Sequence, residues 1–400
     1  MKTIALAFRY LWSRPLQALL NLLLLTLGLA SITFVMLASE QVDRAFQRDL
    51  AGIDLVVGAK GSPMQLILAG VFHIDVPPGN IPLADVQELA RQPQVAKLIP
   101  LSLGDSFRGF RIVGTTADYL SHYRMAFAQG QPWARPMEAV LGAQAAQATG
   151  MQTGNSFIGS HGLGGRGHEH GENPYRITGV LAPCGCVVDR LILTATESVW
   201  QVHEKAMAMD DEDRKALQAE REVTIALVTY KSPLAAVSFP RYVNTSTGMQ
   251  AAAPAVEVSR LLRMLGVGSE VLRGVGAVLL LTAALSVFIA LWNAVRERRN
   301  DLAMLRMLGA TPAKVASLLL CEALWLAVLA SILGLAAGHG LTALVAWLLE
   351  GQRSLPMTGR LWLPQEVWIP AAAVGVAALA ALIPTVSAYR VDVAHLLNTR

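Results

Sequence analysis

Four long apolar stretches constrain this chain more than any other feature of its sequence. They run over about residues 17–39, 273–295, 316–349 and 367–389, and the first carries no charged residue. A helix of about 20 apolar residues crosses a bilayer, and a helix satisfies its own backbone hydrogen bonds there. The sequence therefore predicts an integral membrane protein with four α-helical transmembrane segments. The third stretch exceeds one crossing, which predicts a tilt or an interfacial first turn.

The N-terminal segment is interpreted as a surface helix followed by an uncleaved anchor. Ile4, Phe8, Leu11 and Trp12 recur at helical spacing, which predicts that residues 1–16 form an amphipathic helix in the cytoplasmic interface. A cleaved signal peptide is the alternative for the first apolar stretch. Such peptides have apolar runs of about 7–15 residues followed by an Ala-x-Ala-like site. The run here is longer and no clean site follows, so we expect an anchor.

Basic residues in the short connections set the predicted orientation. Arginine and lysine cluster before the first stretch, in the connection 296–315 and in the tail 390–400, whereas the charges of loop 350–366 balance. Short cytoplasmic loops are enriched in Lys and Arg. We therefore expect both termini inside and residues 40–272 outside. The net charge of +4 then reflects topology, and no basic, aromatic surface points to nucleic acid.

Residues 40–272 are predicted to form an α+β or α/β domain inserted between helices 1 and 2. Short β-like runs alternate with helical segments, among which Met137–Thr149 is predicted as a helix. The length is sufficient for a hydrophobic core. Residues 256–272 carry leucines in helical phase, which predicts a stalk that continues into the second membrane helix.

The connection between the second and third stretches resembles the loop of FtsX-type permeases. Residues 299–312 read Arg-Asn-Asp-Leu-Ala-Met-Leu-Arg-Met-Leu-Gly-Ala-Thr-Pro, close to the family pattern R-x-x-E/D-h-x-h-L/M-R-x-L-G-A-s/t. The tail from Ala388 is similar to the family's closing segment, although Ala394 stands where proline is usual. Residues 54–61 and 103–116 resemble the start of the MacB-like periplasmic core domain.

This resemblance implies a permease subunit of an ABC transporter in the bacterial inner membrane, assembled from two permease copies and two ATPase subunits. The chain lacks a Gly-x-x-x-x-Gly-Lys-Ser/Thr loop for ATP phosphates. The ATPase, with its ATP and Mg²⁺, is therefore expected on a separate polypeptide, and no residue of this chain is expected to be catalytic. Export, extraction and mechanotransmission remain open, as do homodimeric and heterodimeric pairing and a periplasmic partner protein.

The connection 296–315 has the composition of a docking segment for that ATPase. Its basic side chains suit acidic residues of a partner, and its apolar side chains form a ridge. Gly309 is expected to end one short helix before Thr311 and Pro312 begin the next. The predicted docking residues are Arg298, Arg299, Leu302, Leu305, Arg306, Leu308, Gly309 and Lys314. The alternative is that the arginines only enforce topology.

The third apolar stretch carries small and ionisable residues that predict helix packing. Gly334 and Gly338 form a Gly-x-x-x-Gly pair, and small residues let membrane helices approach closely. Incidental glycines in an Ala/Gly-rich segment are the alternative. Glu322 and His339 are costly in lipid, so we expect them to face protein or water. Polar packing is favoured over a proton relay.

A His-rich loop and a Cys-x-Cys motif in the outer domain raise a metal-binding hypothesis. The candidate ligands are His161, His168, His170, Glu172, Cys184 and Cys186. Imidazole, carboxylate and thiolate suit Zn²⁺, with copper as the second choice. A solvated loop that binds nothing is the alternative for the histidines. For the cysteines, the alternatives are two isolated small residues in a β-turn and a disulfide in an oxidising compartment. Two further functions stay open: a metal-linked transport system, and a membrane-anchored sensor or enzyme without transport.

Overall fold

The computed structural model describes residues 2–12, 15–162, 173–207, 213, 217–218, 220–297, 307, 309–350 and 357–389. It divides into a helical unit, residues 1–43 and 264–400, and an α/β unit, residues 44–263. The helices are α1 (Lys2–Leu11), α2 (Pro15–Leu50), α3 (Pro63–Gly70), α4 (Leu83–Ala90), α5 (Ala117–His122), α6 (Ala143–Thr149), α7 (Thr196–Met207), α8 (Ala235–Ser246), α9 (Pro254–Glu297), α10 (Pro312–Glu350) and α11 (Trp368–Tyr389). The strands are β1 (Leu55–Ala59), β2 (Ile81–Pro82), β3 (Val95–Phe107), β4 (Phe110–Thr115), β5 (Phe127–Gly130), β6 (Glu138–Leu141), β7 (Ser156–Phe157), β8 (Ser160–His161), β9 (Tyr175–Leu181), β10 (Leu191–Ala195), β11 (Glu222–Val223), β12 (Ile225–Tyr230) and β13 (Met249–Ala252).

Four segments of these helices are long and apolar enough to cross a membrane. They are Pro15–Leu50, Gly274–Asn293, Pro312–Leu348 and Pro364–Val386. The prediction of four apolar helices, with an α/β domain inserted between the first and second, is confirmed. Helix α2 extends beyond the predicted apolar stretch, to Leu50, because the polar residues that follow the stretch include no Gly or Pro before Gly52.

Within the helical unit, α10 and α11 pack through alanines. Alanines spaced three or four residues apart on each helix are at most 2% exposed and belong to one apolar cluster. On α10 these are Ala323, Ala327 and Ala330, and on α11 Ala373, Ala377 and Ala381. Such small side chains allow two helices to approach closely.

The described strands of the α/β unit form a mixed sheet of eleven strands. Its main path is β13-β1-β12-β3-β4-β10-β6-β9-β5, with β7 added to β9 and β8 added to β3. Strands β10 and β4 pair in parallel, as do β6 and β9, whereas the other described pairs of this sheet are antiparallel. A separate two-stranded ribbon joins β11 to β2.

Both faces of the sheet are covered, and alternate residues of its strands enter different cores. In β12, Ile225 and Leu227 belong to one buried cluster, and Ala226 and Val228 to another. Successive side chains of a strand point to opposite faces, so the two clusters lie on opposite sides. Helix α3 contributes to the first cluster and α8 to the second.

The prediction of a helix over Met137–Thr149 is wrong for the first half of that segment. Residues Glu138–Leu141 form strand β6, which pairs with β10 and β9, and only Ala143–Thr149 is helical. Between them, a Cβ on Gly142 would lie 2.1 Å from the carbonyl oxygen of Val188. Pairing within the sheet therefore overrides the local helical preference at residues 138–141. Gly142, where the backbone of Val188 approaches closely, lies between the strand and the helix.

Candidate functional site

The connection into α10 ends in a sharp elbow. Gly309 has φ +93°, a conformation that glycine adopts without strain. The carbonyl of Thr311 accepts the Lys314 N–H at 3.0 Å, and the Thr311 hydroxyl lies 3.4 Å from the same nitrogen. Pro312 then occupies the first helical position. Gly309 and Lys314 are thus described, whereas the other predicted docking residues, Arg298, Arg299, Leu302, Leu305, Arg306 and Leu308, lie outside the described residues.

Helix α1 packs against the first turns of α10, next to this elbow. The ring of Phe8 lies 5.2 Å from that of Trp325 in an edge-on arrangement. Leu11 belongs to the same buried cluster as Val315 and Leu319. The amphipathic pattern of α1 predicts that its apolar side faces lipid. In the structure, part of that side packs against α10 instead. Trp325 lies within the third apolar stretch, and its contact with α1 was not predicted from the sequence.

The glycines of α10 lie directly against α2. A Cβ on Gly334 would be 2.6 Å from Cβ of Leu29, and one on Gly338 would be 2.5 Å from Cβ of Thr33. Real side chains do not approach so closely, so the two helices pack at this distance only because both residues are glycines. Glu322, on the same helix, is 8% exposed and belongs to its buried side.

A second close approach joins α2 to α9. Gly28 lies against Leu280, and Gly276 lies against Ile32. Farther along the same pair of helices, the Ser286 hydroxyl donates a hydrogen bond to the side-chain oxygen of the buried Asn21. These contacts were not predicted, although a lone asparagine inside the first apolar stretch is the sequence signal for such a polar contact.

A buried acid–base pair fastens the connection between α10 and α11. His339 Nε2 lies 3.0 Å from Glu366 Oε2, and both side chains are at most 10% exposed. His339 Nδ1 lies 2.8 Å from the carbonyl oxygen of Gly359, so Nδ1 must carry a proton and donate it. His339 was predicted from the sequence to face protein or water, whereas Glu366, which immediately precedes the last apolar stretch, was counted only in the charge balance of its loop and not as the partner of His339.

The same connection is tied to α2. The Gln41 side-chain oxygen accepts the Thr358 N–H at 2.7 Å. Glu366 Oε1 accepts the Leu363 N–H at 2.9 Å. The described connection 357–367 is therefore held by side chains from α2 and α10 and by its own Glu366. These contacts make it part of the bundle rather than a loose loop.

In the α/β unit the two cysteines of the Cys-x-Cys motif are joined. Cys184 and Cys186 form a disulfide, and Cys321 is a free thiol in α10. Sulfurs in a disulfide are not thiolate ligands, so Cys184 and Cys186 would hold a metal only in their reduced form, and that role stays a prediction. Because only one residue separates the two cysteines, the sequence alone did not favour a disulfide over the other interpretations.

The predicted histidine ligands fall largely beyond the described residues. His161 lies in β8, where its backbone is paired with Asp105 of β3. His168, His170 and Glu172 lie outside the described residues. In the part of the chain that the structure describes, no three His, Cys, Asp or Glu side chains come together as a metal site. Zinc binding stays a prediction.

A buried histidine of the α/β unit makes a pH-sensitive contact. His73 Nε2 lies 3.1 Å from the hydroxyl of Tyr119, and both side chains are buried. Burial, reinforced by Arg111 and Arg190, lowers the pKa of His73 well below 6.5. The imidazole is therefore neutral in the folded protein, and we assign its single proton to the hydrogen-bonded Nε2.

Stability of the α/β unit is expected to fall as the pH drops below about 6.5. The unfolded chain binds a proton at His73 there and the folded chain does not, so the loss approaches about 1.4 kcal/mol per pH unit. His122, whose pKa burial also lowers, acts in the same direction, while the raised pKa of Asp49 acts in the opposite one. Urea titrations of the full chain at several pH values measure the slope. His73→Gln should reduce it, and an unchanged slope contradicts the assignment.

Comparisons with known proteins match both units. The model of the FtsX-like permease C-terminal region matches residues 273–393, and the model of the MacB-like periplasmic core domain matches residues 18–222. The second match alone spans more than half of the chain. No curated protein matches the sequence.

Solved structures give distant similarities. The periplasmic region of MacB from Actinobacillus actinomycetemcomitans is 11% identical, with 53% of this chain and 95% of that one covered and a TM-score of 0.35. The extracellular domain of the noncanonic ABC-type transporter YknZ from Gram-positive bacteria is 12% identical, with coverages of 50% and 98% and a TM-score of 0.30. A domain of a permease protein from Porphyromonas gingivalis is 13% identical, with coverages of 50% and 86% and a TM-score of 0.27.

Proposed function

Because the chain belongs to the FtsX/MacB-type family of ABC transporter permeases, we propose that it is the non-catalytic permease subunit of a bacterial ATP-driven complex. In this proposal its four apolar helices cross the inner membrane, with both termini in the cytoplasm and the α/β unit in the periplasm. Two permease copies assemble with two separate ATPase subunits. ATP-driven motion then reaches the α/β unit, for export, extraction or mechanotransmission.

The packing around the elbow supports the proposal most directly. Gly309, Thr311 and Pro312 form a short turn that leads straight into α10. The next turns of α10 bury Val315 and Leu319 in the cluster that also holds residues of α1, α2, α9 and α11. A push on the connection 296–315 therefore acts on a packed bundle and not on a single loose helix. This is the mechanical arrangement that an external ATPase requires.

The charge distribution supports the proposed orientation. The connection 296–315 carries five arginine or lysine residues against two acidic ones, Glu297 and Asp301. Short basic connections stay on the cytoplasmic side. An ATPase docked there has access to cytoplasmic ATP, while the α/β unit faces the opposite compartment.

Loss of the ATPase from the purified complex is the expected result of Arg306→Glu/Leu308→Asp. The two changes reverse one charge and remove one apolar docking side chain, and we expect ATPase activity that co-purifies with the tagged chain to fall by about tenfold or more. The measurement is ATP hydrolysis per folded permease after purification from native membranes. The matched control is Arg241→Glu/Val237→Asp, which places a reversed charge and a new carboxylate at exposed positions of α8. Equal activity in both double variants would contradict docking at this connection.

A further inference from the structure

The disulfide of the α/β unit lies beside a buried carboxylate. Cys184 is half-buried, whereas Cys186 is buried, with 7% of its surface exposed. Asp189, 2% exposed, accepts the backbone N–H of Cys184 at 3.0 Å and that of Gly185 at 2.7 Å. These two hydrogen bonds fix the carboxylate on the loop that carries the disulfide.

The Asp189 carboxylate also contacts the sulfur of Cys184, which carries no hydrogen in the disulfide. Asp189 Oδ1 lies 3.3 Å from Sγ of Cys184. A sulfur in a disulfide carries no hydrogen, whereas a thiol at this distance donates an S–H···O hydrogen bond. Reduction therefore adds a hydrogen bond at Asp189 without requiring the carboxylate to move.

A cation also lies next to the motif. A Cβ on Gly185 would be 3.2 Å from Nη1 of Arg48, so the guanidinium is next to the residue between the two cysteines. Thiolates are the attacking species in disulfide exchange, and positive charge favours a thiolate in its vicinity. Of the two sulfurs, that of Cys184 is the more accessible to such an attack.

We propose that Cys184 and Cys186 form a thiol–disulfide exchange site whose reaction partner is a dithiol. A thiolate of the dithiol attacks Sγ of Cys184, the Cys184–Cys186 bond breaks, and Cys186 leaves as a thiolate that takes up a proton. The second thiol of the partner then attacks the mixed disulfide and releases Cys184. The partner loses two electrons and two protons and ends as a disulfide, and both cysteines end as thiols. Asp189 is a positioning residue that accepts the hydrogen bond of the Cys184 thiol.

Single-cysteine variants of the full chain test which sulfur is attacked. In a Cys321→Ser background, Cys186→Ser leaves only Cys184 and Cys184→Ser leaves only Cys186. We expect the Cys184 thiol to react with a nitrobenzoate disulfide reagent about tenfold faster than the buried Cys186 thiol. Equal rates, or a faster Cys186, overturn the assignment. In the Cys186→Ser variant, adding Asp189→Asn should shift the pH profile of Cys184 alkylation lower by about one unit, and an unshifted profile removes Asp189 from the site.

Thiol counting on the unaltered chain tests the exchange itself. The chain has three cysteines, so the oxidised protein presents one thiol and the reduced protein three. Dithiothreitol is expected to raise the count from one to three in the absence of denaturant, with the circular dichroism of the α/β unit retained. A count that rises only after denaturation overturns the proposal, because the disulfide would then be a protected structural link.

Discussion

Gly338→Leu is expected to destroy the packing of α10 on α2. A Cβ at this position would lie 2.5 Å from Cβ of Thr33 and 3.1 Å from the carbonyl oxygen of Ala30. Backbone atoms cannot move aside as a flexible side chain can, so the helices must separate. Overpacking typically costs about 1–3 kcal/mol, and a clash with backbone atoms belongs at the upper end of that range. We expect most of the detergent-purified variant to aggregate, and the remainder to melt well below the unaltered protein.

The same helix provides the control. A Cβ on Gly340 meets nothing within 4 Å, so Gly340→Leu tests a leucine in α10 where no clash is present. It should leave the thermal midpoint nearly unchanged. The double variant Gly338→Ala/Thr33→Gly should be more stable than Gly338→Ala alone, because it removes the side chain that the new methyl group meets. If Gly340→Leu is as damaging as Gly338→Leu, the loss comes from helix composition and not from this contact.

The helical unit could be predicted well because membrane helices are identified by their length. Apolar runs of this length have few other stable states, so the stretches and their order could be derived without the structure. The contacts between the helices could not. Gly334 and Gly338 mark a face of α10, but nothing in the sequence states that Leu29 and Thr33 of α2 lie opposite. Partner choice depends on the geometry of the whole bundle.

In the α/β unit, prediction failed where sheet pairing overrode local preference. Residues Glu138–Leu141 lead into an alanine-rich segment with the composition of a helix, yet they form a strand between β10 and β9. The buried polar contacts were equally inaccessible. His73 and Tyr119 are 46 residues apart, and no local pattern joins them. Asp189 was overlooked because its role depends on the backbone of the Cys-x-Cys loop and not on a recognisable motif.

The second large effect is expected from His339→Ala. The substitution removes the partner of Glu366 Oε2 and the hydrogen bond to the Gly359 carbonyl, and the carboxyl group, which is 4% exposed, stays buried without the imidazole. Removing one member of a buried pair costs about 3–5 kcal/mol. We expect a large fall in the thermal midpoint and faster tryptic cleavage after Arg360, which lies exposed in the connection that the pair fastens.

Two matched variants of the pair separate packing from charge. In Glu366→Gln, the amide oxygen still accepts the Leu363 N–H and the amide N–H donates to a neutral His339 Nε2, so a small loss is expected. His339→Leu/Glu366→Gln replaces the imidazole by an apolar side chain and leaves no buried carboxylate, so it should be more stable than His339→Ala. If Glu366→Gln is as unstable as His339→Ala, the pair acts as an ion pair that an amide cannot replace. If none of the three variants changes the midpoint or the cleavage rate, the pair does not fasten the connection.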